Sequence, residues 1–383
     1  FVIDWDRYQY LFFAFPLAVA LAFIELFKRQ AANLQKIAIP TFYEKIIPKV
    51  ALPAVFILVV LGLVTENVGI YTFIAFYFLL LLLLSQYLFR HFSIKGEGSF
   101  QELFQEIPKK EYFSYCFYSF IGSFGSFLAF RVDGFMIPLF CEFEDNGTYR
   151  IAVNLASALA IPATGLFTVY APQVSALIKN QDWETLRMKY VETAKLLFFV
   201  GAILLGCIFV GIESFFQLFP KGDKLMASVP VMYVLGSNVL FNMATGFNSE
   251  IISYSQYYRF NIVSVLILVV LNVLLNWYFL TQTEIGILGV AIASFIAMTL
   301  FNLAKLIFIY KKFGILPFDE SYAKLIFVLN IVFFGIYLMP SLENLWLEVI
   351  MKVSAFLVIA LSLVYQKQLI PSMNFWINKL RKK

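Results

Sequence analysis

Two arginines and an aspartate stand inside apolar sequence, where charge is expensive. Arg131 and Asp133 fall in the run Tyr112–Phe140, and Arg150 opens the run that follows. A charge at the centre of a membrane-spanning helix costs about 2.5–3.5 kcal/mol on insertion scales, so each is expected to face a cavity or a partner. At about 1.5 Å of rise per residue, Arg131 and Asp133 lie near the midplane, with Arg150 closer to the outer rim. Residues two apart on a helix do not face one another, so Arg131 and Asp133 cannot pair on their own helix. A guanidinium stays charged and grips phosphate oxygens through parallel N–H bonds, so two of them beside a polar vestibule suit a diphosphate. An ion pair from Arg131 or Arg150 to Asp133 across neighbouring helices is the competing reading, and both can hold at once.

Amides and hydroxyls follow the same logic. Spacings of three and four residues give one stripe of Ser119, Ser123, Ser126, Phe130 and Asp133, and a second of Arg150, Asn154, Ser157, Ile161, Thr164 and Thr168. A third holds Asn238, Asn242, Thr245 and Ser249, and a fourth Asn261, Ser264, Leu268, Asn272 and Asn276. Each stripe has helical period and leaves the other faces apolar. Any single Ser or Asn is explained well enough as glue between two helices. Four aligned stripes favour a wet cavity, with Arg131, Asp133, Arg150, Asn154, Asn242, Asn272 and Asn276 as candidate cavity and substrate-binding residues.

The elements that position these residues must be lipid-embedded helices. The 383 residues are 61% hydrophobic, 19% aromatic and 14% charged, against about 25% charged in a soluble domain. A compact soluble core cannot absorb that apolar excess. Runs long enough to cross about 30 Å of hydrocarbon number about eleven. They centre on Tyr8–Phe27, Val50–Val64, Gly69–Phe89, Tyr112–Phe140, Thr148–Leu177, Ala194–Leu218, Ala227–Ser253, Phe260–Leu280, Gly286–Ile309, Tyr322–Met339 and Val349–Tyr365. Pro138, Pro162 and Pro172 are expected to kink the fourth and fifth. Gly286, Gly289, Ala293 and Ala297 form a small-residue face for close packing rather than chemistry.

Alternate connectors are basic, from Lys28, Arg29, Lys36, Lys45 and Lys49 through to the tail with Lys379, Arg381, Lys382 and Lys383, while the others carry Glu66, Glu142, Glu144, Asp145, Glu284, Glu343 and Glu348, with the mixed connector of Lys221, Asp223 and Lys224 as a mild exception. The bias places the basic set in the cytoplasm and the start of the chain outside. The net charge of +5 is what such loops leave behind and carries no case for nucleic acid. Cys116, Cys141 and Cys207 have neither metal-ligand nor disulfide-framework spacing, and no cofactor is expected. His91 reads as a solvated helix end. Glu25, Glu213 and Glu250 lie near span ends, where solvation accounts for them.

Several motifs occur in an order that resembles a known family. Phe130-Arg131-Val132-Asp133, then Gly147-Thr148-Tyr149-Arg150-Ile151-Ala152, Ala171-Pro172-Gln173-Val174-Ser175 with Asp182-Trp183, Leu275-Asn276, Gly286–Ala293, and Phe313-Gly314 with Pro317-Phe318 are similar to the Wzx-type polysaccharide flippases. Those belong to the MOP superfamily, which also holds the MATE drug exporters. The resemblance implies an all-α integral membrane protein built as a two-lobe helical bundle around a central cavity. It makes residues 1–110 part of an N-terminal lobe and a connector, 111–312 a six-helix C-terminal lobe, and 313–383 two extra helices with a basic tail. Aligning Tyr112–Phe140 with the seventh helix leaves the first three without counterparts, which together with the outside start and the absent Met suggests a chain that begins partway through a longer protein.

The implied cargo is an oligosaccharide on undecaprenyl diphosphate. It would be moved by alternating access from the cytoplasmic to the periplasmic leaflet of the bacterial inner membrane, for O-antigen, lipopolysaccharide or capsule synthesis. Membrane lipids and a glycan polymerase are the implied partners, and Asp133 is a candidate for ion coupling. A MATE-like cation antiporter is the nearest rival and would want midplane carboxylates. An integral-membrane polymerase or glycosyltransferase would need catalytic groups in a sizeable outer loop, and the outer loops here are short and lack His or suitable carboxylate pairs. A non-transporting scaffold leaves the polar stripes unexplained.

Overall fold

The computed structural model describes residues 11–34, 36, 38–91, 104, 108–129, 131–219 and 222–370, and every regular element among them is helical. The chain forms two compact units, residues 1–109 and 110–383. In the first, α1 (Leu11–Asn33), α2 (Ala38–Val60) and α3 (Glu66–His91) pack around Ile24, Leu80 and Leu84. Lys28 sits between Glu25 (2.5 Å) and Glu44 (3.3 Å) and ties α1 to α2. Helix α2 starts earlier than the apolar run it contains, so Lys45 and Lys49 are helical rather than in a connector. Pro40 lies in its first turn, where a missing N–H leaves no bond unmade.

The second unit runs α4 (Lys109–Ala129), α5 (Val132–Phe140), α6 (Phe143–Leu159), α7 (Ile161–Lys179), α8 (Trp183–Gln217), α9 (Gly222–Met226), α10 (Val229–Ala244), α11 (Asn248–Tyr254), α12 (Tyr258–Gln282), α13 (Gly286–Phe313), α14 (Glu320–Tyr337) and α15 (Leu345–Gln366). Three of the expected spans are divided. Tyr112–Phe140 breaks ahead of Arg131, whose backbone leaves the helical region at φ −129°, ψ −7°. Thr148–Leu177 breaks at Ala160, because Pro162 at the start of α7 has no N–H to continue the ladder and restricts the residue before it. Ala227–Ser253 breaks between Thr245 and Phe247, where Gly246 takes φ +63°. α5 and α7 continue through Pro138 and Pro172 without ending there.

Seven described helices are long and apolar enough to cross a membrane singly, among them α3, α8, α12, α13, α14 and α15. The protein is a multi-pass membrane protein. Phe113, Phe117, Phe120 and Phe124 recur at helical spacing along one side of α4 and are 50–63% exposed, the signature of a lipid-facing stripe. The interior is held by α8, which packs Phe198, Phe199 and Ile203 against Leu325 and Leu329 of α14 and Phe356 of α15. Lys195 of α8 donates to Asp319 (2.9 Å) and Ser321 (2.6 Å) and fixes the entrance of α14.

Candidate functional site

Two of the helix breaks, before Arg131 and at Ala160, border a cavity of about 410 Å³ inside the second unit. Arg131, Asp133 and Gly134 reach it from the start of α5, and Tyr149, Arg150, Asn154 and Ser157 from α6. Asn238 and Asn242 of α10, Asn272 of α12 and Ser294 of α13 supply the rest of the polar wall. Three of the four stripes therefore meet. In the first stripe, Asp133 is placed, while Phe130 and the side chains of Ser119, Ser123 and Ser126 lie outside the described residues, as does the side chain of Thr168 in the second. Ile161 and Thr164 are exposed instead, because the break at Ala160 resets the helical phase.

Asp133 is the hub of one wall. Its carboxylate accepts from Tyr149 Oη (2.7 Å), Ser294 Oγ (2.7 Å), Asn276 Nδ2 (2.9 Å) and Asn272 Nδ2 (3.3 Å). Two carboxylate oxygens offer about four acceptor positions, so neutral donors from three helices fill them. Asn276 is fully buried behind the wall rather than lining the cavity, and it serves to hold Asp133. Ser294 and Tyr149 were not among the sequence candidates. Ser294 was overshadowed by its small-residue neighbours Ala293 and Ala297, although it starts a polar series of its own with Asn302 and Lys305.

The arginines have a different environment. Neither Arg131 nor Arg150 makes an ion pair among the described residues, so the cross-helix pair with Asp133 does not form. Arg131 is exposed and lies 5.9 Å over the Phe127 ring, a cation–π arrangement that supports the head group without neutralising it. Arg150 lies against the backbone of Gly134, and a Cβ there would run into its Nη2 and stand 3.0 Å from Cζ. The glycine makes room for the guanidinium. Donor-rich, uncompensated cations beside neutral amides form a surface for an anion with polar attachments.

No family model and no curated protein matches the sequence. Among solved structures, the lipid II flippase MurJ in an inward closed conformation matches with a TM-score of 0.63 over 93% of this chain and 72% of that one, at 15% identity. The chain has the fold of that flippase. At this identity the likeness speaks for the MurJ-like architecture and for nothing finer. The cavity lies wholly within the second unit of this MurJ-like fold, so its geometry does not depend on where the first unit sits.

Proposed function

We propose that this protein is a flippase for lipid-linked glycan precursors, moving an undecaprenyl-diphosphate-linked oligosaccharide across the bacterial cytoplasmic membrane for surface polysaccharide synthesis. The observation that carries the reading is the pair of arginines, both lining one polar cavity and both without a carboxylate partner among the described residues. Arg131 and Arg150 take the diphosphate, while Asn154, Asn238 and Asn242 meet hydroxyl and acetamido groups of the glycan. Asn272 and Asn276 brace Asp133, which in turn orders the wall. The two lobes expose the cavity to each leaflet in turn, and the lipid tail stays in the bilayer. The protein acts as a transporter, not an enzyme, and hands its cargo to a glycan polymerase. The MurJ-like fold supports this class of cargo, because MurJ is itself a lipid II flippase.

The test is deletion of the gene in its host, followed by a leaflet-selective label for lipid-linked oligosaccharide. Accumulation on the cytoplasmic face with loss of surface glycan is expected. Complementation with Arg131→Lys restores part of the transport, because it keeps the charge but loses the parallel N–H bonds, and Arg131→Ala restores none. Normal surface glycan in a strain without a second flippase overturns the proposal and points to the cation antiporter.

A further inference from the structure

A second polar cluster lies apart from the cavity, at the α10–α11 break. Lys305 of α13 is 1% exposed, donates to Ser249 Oγ at 2.7 Å, and stands 3.8 Å over the Phe301 ring. No carboxylate lies within 4 Å of its ammonium among the described residues. Glu250, next to Ser249 on α11, makes no ion pair within 4 Å among them, although its carboxylate already interacts electrostatically with Lys305. Tyr190 of α8 is fully buried with its hydroxyl unpartnered, and it interacts electrostatically with Glu250 and Tyr322. A buried ammonium resting on one hydroxyl and one ring, one residue away from an unpaired carboxylate, is an incompletely compensated arrangement.

The break itself is built rather than frayed. Tyr322 of α14 donates to the carbonyl of Ala244 (2.9 Å), one of the groups the break releases. Asn302, 1% exposed, accepts from Thr245 Oγ1 (3.3 Å) and Asn248 Nδ2 (3.0 Å) on both sides of Gly246, and donates to Asn242 Oδ1 (3.2 Å). Asn242 lines the cavity. The short helix α11 thus follows a glycine with φ +63°, and a single side chain, Asn302, joins that break to the cavity wall.

We propose that Lys305 and Glu250 form a latch: Lys305 holds Ser249 in the state seen here and exchanges it for Glu250 when α11 tilts about Gly246. The two partners are consecutive residues on one short helix and project about 100° apart, so the exchange needs α11 to turn as it tilts and the long Lys305 chain to follow. Asn302 transmits occupancy of the cavity to the pivot, because a cargo that engages the Asn242 amide competes for the bond to Asn302. The latch would then couple loading to closure of this side of the lobe. It holds for any cargo of the cavity and does not rest on the proposed flippase activity.

The experiment uses the full-length protein in lipid nanodiscs with spin labels at Tyr254 and Lys324, both exposed and both in the second unit. Pulsed dipolar distance measurement is expected to show two populations. Glu250→Gln, nearly isosteric, should reduce the second at least about tenfold, as removal of one partner of a buried charge pair does. Lys305→Glu combined with Glu250→Lys should restore both. A single distance in the unsubstituted protein, a second population untouched by Glu250→Gln, or no recovery in the exchanged pair would each overturn the latch. Because the readout is a distance within one unit, its failure would leave the flippase reading intact.

Discussion

The wall around Asp133 makes a quantitative demand on stability. Tyr149→Phe removes one hydroxyl lying 2.7 Å from a carboxylate, and a hydrogen bond to a charged group is worth about 1.5–3 kcal/mol. Asp133→Ala removes the acceptor from four donors at once. Tyr149 and Asn276 are 1% and 0% exposed and cannot turn to water. At about 1–3 kcal/mol for each stranded buried donor, those two alone set a loss of about 2–6 kcal/mol. The double variant should be no worse than Asp133→Ala, since deleting the hydroxyl then removes a stranded donor instead of a bond. The expected coupling is therefore about 1.5–3 kcal/mol, read as the non-additivity of a double-mutant cycle in reversible unfolding from mixed micelles. Effects that add to within about 0.5 kcal/mol, the range for independent sites, would mean that Asp133 does not hold α6 and would refute the wall as described.

Other expectations follow from single contacts. Gly134→Ala should displace the flexible Arg150 guanidinium, so transport falls sharply while unfolding shifts by less than about 1 kcal/mol; equal loss of both would show a structural glycine. Asn302→Leu takes the acceptor from one N–H of the buried Asn248 amide, whose other bond runs to Thr245 Oγ1, at about 1–3 kcal/mol, and should speed amide exchange in α11 before the rest of the unit. Asp319 sits in the connector ahead of α14. Burial raises its pKa, but hydrogen bonds from Lys195, the Tyr322 amide and Ser321, with the Lys195 charge, win and hold it below the usual carboxylate value of 3.8. Its contribution to stability is thus present above that value and is lost as pH falls through the lowered one. Acid unfolding of Asp319→Asn should begin from a less stable protein and show a shallower pH dependence below about pH 4; parallel curves would remove the Lys195–Asp319 bond from the account.

What the sequence makes legible here depends on period and on cost. Asn238 and Asn242, or Asn154 and Ser157, share a face because a helix repeats every 3.6 residues, and polar groups in lipid demand a common wet space. Those faces do meet. The breaks were harder to read. Pro162 announces its own, yet Pro138 and Pro172 look the same in sequence and interrupt nothing, because whether a helix stops depends on which neighbours supply partners for the freed carbonyl. Gly246 carries no more local signal than Gly236, which sits inside α10. Ser294, Asn302 and Lys305 were legible at helical spacing on α13, but the small residues between them drew the reading towards packing. The partner of Asp133 could not be read at all. An aspartate flanked by two arginines invites an ion pair, and only the three-dimensional arrangement shows neutral donors in their place.

The three interruptions share a physical reason. Backbone N–H and C=O groups left open in lipid cost several kcal/mol each, so irregular backbone at membrane depth is tolerated only where it is buried in protein or lines a wet cavity. The break before Arg131 delivers a guanidinium and Asp133 to the cavity, and the break at Ala160 ends the cavity face of α6. At the break at Gly246, Tyr322 of α14 serves an open carbonyl, and Asn302 of α13 ties the side chains on either side together. The unbroken helices α12 and α13 supply the counter-wall, with Asn272, Asn276 and Ser294 fixed in register against Asp133. Rigid helices on one side and jointed ones on the other divide the labour. The counter-wall holds a polar geometry, and the breaks bring side chains to the opposite wall without opening backbone to lipid. A uniform bundle of unbroken helices could carry the same residues but would hold each stripe to one helical phase, so the breaks, more than the cavity volume, set which polar groups meet.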